Sequence, residues 1–210
     1  MKLSIAEGFY LIALDDEEGR ILAAAEKTVV PGVIAACILE LNLLKKIKLD
    51  GGNVSVVDTI GTGNGILDNV LKKLQTGPSI TDQITSLSHK FKDIQEDLNS
   101  LLAQRGILKK EETKLLWIPL SERMNNANYA FEEDIRKTLR AIVIKGAKPN
   151  NAFVILFVLI NASDILEEVF NDPEDLIDAE KVGKDIISTH IHDMSLATAL
   201  DQSVNVLAAS

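Results

Sequence analysis

The chain has 210 residues, 46% hydrophobic and 25% charged, which suits one domain, or two small ones, with a real core. Its formal net charge of −9 repels nucleic acid and anionic membranes at long range, though it leaves room for a local basic pocket that binds phosphate. One cysteine excludes an internal disulfide and suits a reducing compartment.

Met1-Lys2-Leu3-Ser4 leads straight into an amphipathic segment, so no signal peptide is expected. The expected location is cytoplasmic, at most peripheral at a membrane surface. Ser4 caps a first helix, and Glu7 completes a capping box three residues later. Ile5, Phe9, Leu11, Ile12 and Leu14 form its apolar stripe. Asp15-Asp16-Glu17-Glu18-Gly19 reads as an acidic turn, and residues 21–25 as a small-residue apolar stretch. Pro31-Gly32 opens a second helix through Leu44, with Cys37 as a small core residue. Asp50-Gly51-Gly52-Asn53 is hairpin chemistry, because Gly and Asn accept positive φ.

A glycine-rich connection at residues 61–65 leads into a helix over 66–74, and Ser79 or Thr81 caps a short helix beyond it. A longer helix is expected over about 88–105, ending at Gly106. A second hairpin then ends at Pro119, so a helix running into a hairpin occurs twice. Residues 125–128 read as a loop and 131–145 as a helix facing inward with Ile135, Leu139, Ile142 and Val143. The longest apolar run, Ala152 to Ile160, is about half a bilayer span and so reads as a buried helix, capped by Asn151 and continuing to Phe170. Residues 172–175 start a last amphipathic helix, to about Ile187. The expected fold is mainly α: a single helical domain (1–190) around a buried central helix, with two small β-hairpins and a weakly structured tail over 191–210.

Few constellations carry chemistry. Gly61-Thr62-Gly63-Asn64-Gly65 precedes a helix, the right context for phosphate, but it lacks the Lys-Ser/Thr of a P-loop and the dinucleotide spacing. The competing reading is a hairpin-to-helix connection. His190-Ile191-His192-Asp193 would share a metal-binding face only on a strand, and a polar helix end is the expected role. No nucleophile elbow or poised acid–base pair is present, so neither an enzyme, a metal site nor a cofactor is expected. The second helix-hairpin unit suggests a winged helix with Glu111-Glu112 at the wing tip. A DNA wing is usually basic, and phosphate contacts dominate such affinity.

Several strings in order resemble the Golgi phosphoprotein 3 family. They are Leu3 to Glu7 through Leu11 to Gly19, Leu39-Glu40-Leu41 with Lys46-Ile47, Thr62-Gly63 with Leu67-Asp68 and Leu71, and Leu101 with Arg105-Gly106-Ile107-Leu108. The most specific is Ser163-Asp164-Ile165-Leu166-Glu167-Glu168-Val169-Phe170 after an apolar helix. The resemblance implies a non-enzymatic peripheral membrane or adaptor protein that binds phosphatidylinositol 4-phosphate, or another anionic lipid headgroup, and the cytosolic tails of membrane enzymes. The family's headgroup Trp falls in the Ala23-Ala24-Ala25 run, and its Arg positions fall on Ile34, Lys92 and Gln95. Lys92, Lys90, Lys27 and Gln95 are therefore the headgroup candidates, with Ile21 and Leu22 at the membrane. The second hairpin implies homo-oligomerisation through Leu115, Leu116, Trp117 and Ile118. The alternatives are a protein-interaction scaffold that never touches lipid and a winged-helix DNA module.

Overall fold

The computed structural model describes residues 3–15, 19–115 and 118–210, with the backbone alone for 111–115, 118–123 and 126. The capping box forms: Glu7 N donates to Ser4 Oγ (3.1 Å) and Ser4 N to Glu7 Oε2 (2.9 Å). It starts α1 (Ile5–Ile12), which is buried on every side rather than along one stripe. After the 3-10 turn Ala23–Ala25 comes α2 (Val29–Leu43), where Pro31 sits in the first turn and its missing N–H costs nothing.

The Gly51-Gly52 turn joins β1 (Ile47–Asp50) to β2 (Asn53–Val56), with Ile47 opposite Val56. Three helices follow: α3 (Gly65–Lys73), α4 (Ile80–Lys90) and α5 (Ile94–Gln104). A second ribbon pairs β3 (Leu108–Leu115) with β4 (Ile118–Asn126). The rest is α6 (Ala130–Lys145), α7 (Asn151–Ala162), α8 (Pro173–His190) and α9 (Met194–Ala208). The fold is mainly α, as expected. At its centre α2 touches α1, α3, α4, α7, α9 and β1, and α7 packs beside it. Their side chains are almost wholly buried, so both helices read as apolar all round.

Five expectations are corrected. The helix expected over 88–105 is two helices, because α4 packs on α2 and α9 while α5 packs on α1 and α3. The chain turns between them, with Phe91 N bonded to Leu87 O and Ile94 N to Phe91 O. The second hairpin runs past Pro119 to Asn126; Pro119 is tolerated beside a register shift at Thr113/Lys114. The pairing continues to Leu115 opposite Ile118, so Glu111 and Glu112 are mid-strand, opposite Arg123 and Glu122, and form no wing tip. The central apolar helix is capped by Asn150 and stops at Ala162. There Asp164 (φ +58) is left-handed, and Ile165 N reaches back to Ile160 O in a C-terminal capping turn. Residues 191–210 are not a loose tail: Asp193 caps α9, which buries Leu196, Ala199, Leu200, Ser203 and Leu207.

Two carboxylates hold the start of α1. Glu7, fully buried, accepts from Ser4 N, from Asn64 Nδ2 (2.8 Å) and from Arg105 Nη1 (2.8 Å). Glu40 of α2 accepts from Ile5 N (2.7 Å). Burial pushes the Glu40 carboxyl up from 4.5 to about 7; the Ile5 bond opposes this and Glu7 adds to it. The folded state therefore favours the protonated acid. Its contribution is fully present below pH ~4.5 and is lost as pH rises to about 7. Glu40→Gln should remove that loss, so the variant gains about 2 kcal/mol relative to wild type between pH 5 and pH 8 in urea titrations. An unchanged difference across that range would contradict it. Burial, followed by Glu40 and Glu7, also pushes the Cys37 thiol well up, consistent with an inert core cysteine.

Candidate binding cleft

The connection between α1 and α2 folds back on itself. Leu14 bridges Ile21, Asp15 N donates to Arg20 O (2.7 Å) and Leu22 N to Ala13 O (2.9 Å). Gly19 (φ +61) lies against β4, where Met124 N donates to Gly19 O (3.1 Å). A Cβ at residue 19 would stand 2.9 Å from Met124 backbone atoms, so glycine is required on both counts.

Between this connection and α5 opens a cleft of about 790 Å³. Gln95 and Asn99, one turn apart on α5, form one wall. Tyr10 lies against Asn99 and donates its hydroxyl to Asn99 Oδ1 (2.8 Å). Burial holds the Tyr10 phenol well above its ordinary value, and the Asn99 bond pulls back only in part. Ile21, Leu22 and Ala23 line the opposite side, and Asp15, Arg20 and Glu26 supply its charges. On the other side of the Ala23–Ala25 turn a smaller cleft, about 210 Å³, is lined by Ala24, Asn161, Asp164, Glu167 and Glu180 among others. Among the described residues the two clefts together carry five carboxylates and one cation.

Gln95, Ile21 and Leu22 thus line one cleft, with the two apolar side chains half-buried against the core. Lys27 stands before α2, Lys90 ends α4 and Lys92 lies between α4 and α5; all three are exposed and none lines the cleft. Tyr10, Asn99, Arg20 and Glu26 are the residues that sequence reasoning did not pick out; the Gln95/Asn99 spacing was the available signal. Of the hairpin contact residues, Leu115 and Ile118 pair at the end of the ribbon, whereas Leu116 and Trp117 lie outside the described residues.

Two other motifs are occupied by their own chain. Asp68 Oδ1 accepts from Thr62 N (2.6 Å) and Thr62 Oγ1 (2.8 Å), and Asn64 Oδ1 caps α3 at Ile66 N and Leu67 N. The glycine-rich loop is thereby a connection held by its own carboxylate. Asp193 spends its carboxylate on Ser195 N and Leu196 N. No group of three metal-ligating side chains occurs among the described residues.

A family model described as Golgi phosphoprotein 3 (GPP34) matches residues 5–205. No curated protein matches the chain.

Proposed function

We propose that this chain, which belongs to the Golgi phosphoprotein 3 family, is a non-enzymatic adaptor whose paired clefts hold a cationic segment of a protein partner. The supporting observation is the charge of their lining: among the described residues Asp15, Glu26, Asp164, Glu167 and Glu180 line the clefts with one cation, Arg20, while Lys27, Lys90 and Lys92 do not line them. A phosphate there would meet net repulsion, whereas Lys or Arg side chains would be drawn in. Tyr10, Gln95 and Asn99 add polar groups that fix orientation. No helix among the described residues is long and apolar enough to cross a membrane. In this reading homo-oligomerisation uses the β3 side of the ribbon, which has no further strand beside it among the described residues.

A fluorescent peptide carrying two arginines among leucines provides the probe. Glu26→Lys with Glu180→Lys should weaken its binding about tenfold or more. The same charge change at exposed Glu133 and Asp201 should leave it within about twofold. Equal losses in both pairs would reduce the effect to net charge and overturn the reading. A headgroup reading is favoured by one observation, the exposed Arg20 at the cleft. Vesicles with phosphatidylinositol 4-phosphate are therefore compared with phosphatidylglycerol vesicles of matched charge. No preference is expected; a preference abolished by Arg20→Ala would reinstate phosphoinositide binding.

A further inference from the structure

Arg20 is the one charge of the larger cleft that a cationic segment leaves unexplained. Its backbone is held on both sides. Asp15 N donates to Arg20 O (2.7 Å), Gly19 N donates to Asp15 O (2.9 Å), and Leu14 bridges Ile21. Its side chain is exposed and, among the described residues, forms no ion pair or hydrogen bond. The donors of the guanidinium are thereby left for a ligand.

Amide donors line the same cleft. Burial keeps the Tyr10 phenol protonated, and its hydroxyl donates to Asn99 Oδ1 (2.8 Å). Asn99 therefore turns its oxygen to Tyr10 and keeps its Nδ2 hydrogens for the cleft. Gln95, one turn earlier on α5, has no side-chain partner among the described residues and adds a second amide. Asp15 and Glu26 are the anionic groups of this lining, and Ile21, Leu22 and Ala23 give it an apolar wall.

A phosphate dianion does not suit that set, because two carboxylates outnumber one cation among the described lining residues. A single carboxylate differs. It matches the guanidinium fork through two parallel bonds. With a basic side chain beside it, the ligand carries no net negative charge. A polypeptide that ends in Arg or Lys has this pairing.

We propose that the cleft holds the C-terminus of its partner: Arg20, with Gln95 and Asn99, takes the terminal α-carboxylate, and Asp15 and Glu26 take the basic side chain of the last residue. This rests on the adaptor reading and narrows it from any cationic segment to a chain end. The aliphatic stem of that side chain lies on Ile21 and Leu22. A free basic amino acid carries the same two groups. The chain end is favoured because the smaller cleft, across the Ala23–Ala25 turn, adds Asp164, Glu167 and Glu180 for cations farther up the segment.

Fluorescence titration tests this with the arginine peptide labelled at its N-terminus, ending in Arg, and made as the free acid or as the C-terminal amide. The wild-type chain should bind the acid about tenfold more tightly. Long-range charge predicts the reverse order, since the amide brings one more positive charge to a chain of net charge −9. Arg20→Gln should erase the preference by weakening the acid alone. Arg20→Lys should restore part of it, since Lys keeps the charge without the fork. The Arg20 side chain is exposed, and unchanged circular dichroism verifies that the variants fold. A preference for the acid that survives Arg20→Gln would overturn the proposal. So would free arginine that displaces the labelled acid as well as unlabelled peptide does, which would assign the cleft to an amino acid. Equal binding of acid and amide, both lost in Glu26→Lys with Glu180→Lys, would remove the chain end and leave the adaptor reading standing. No binding of either peptide would remove both.

Discussion

Glu7→Ala should cost about 3–5 kcal/mol of folding stability. The carboxylate is fully buried and serves three donors from three parts of the chain: Ser4 N, Asn64 Nδ2 and Arg105 Nη1. Its removal leaves a cap N–H, an amide and part of a guanidinium without the acceptor they converge on. Each such loss costs more than the net worth of the bond that satisfied it. Glu7→Gln keeps the shape and one acceptor and should cost only about 1–2 kcal/mol. Urea midpoints at neutral pH measure both; a loss under about 1 kcal/mol for Glu7→Ala would show that solvent replaces the network. Arg105 closes α5 just before β3, and Asn64 caps α3. The same substitution should therefore loosen the entry to the second ribbon and the start of α3, read as faster amide exchange at residues 64–67 and 105–108.

The mainly-α fold was legible because its elements carry local signals. Ser4 with Glu7, Asp50 to Asn53, and Asp172 before Pro173 each act within a few residues, and each acts in the structure as its chemistry predicts. The errors fall where distant packing overrides a local pattern. The apolar spacing of 88–105 permits one helix, and only the differing neighbours of α4 and α5 break it, although Asp93, Glu96 and Asp97 were a helix-start signal. Pro119 looked like a terminator because a strand proline is tolerated only beside irregular pairing, which no local rule announces. In α9 the spacing of Leu196, Leu200 and Leu207 after Asp193 was readable and outweighed by the small, polar composition. The cleft was half legible. Gln95, Ile21 and Leu22 lay on matched positions, but Tyr10 and Asn99 are 89 residues apart and meet only through the packing of α5 on α1. Lys92 lies between α4 and α5 and does not line the cleft, because the single helix expected to carry it is two helices.

The packing of α1 on α2 includes one very close approach, and the second large effect follows from it. Gly32→Ala should destabilise the chain by about 2–3 kcal/mol and Gly32→Val by more. Helix propensity alone points the other way, since Ala is favoured over Gly inside a helix by about 1 kcal/mol. At Gly32, in α2, a Cβ would stand 2.5 Å from Phe9 Cε1 and Cζ, well inside contact distance. Phe9 is fully buried in α1 and has nowhere to move, so the overlap must push α1 away from α2. Gly65 at the start of α3 is the control: nothing lies within 4 Å of a Cβ there, so Gly65→Ala should be neutral or stabilising by about 0.5 kcal/mol. Phe9→Leu relieves the clash in the Gly32→Ala background, so the double variant should lose about 1 kcal/mol or more less than the sum of the single losses. Additive losses would place the cost of Gly32→Ala elsewhere than on the Phe9 ring. Because α1 also carries Tyr10, and the connection that lines the cleft leaves from its end, the same displacement should weaken cleft binding of the arginine peptide in any Gly32 variant that still folds.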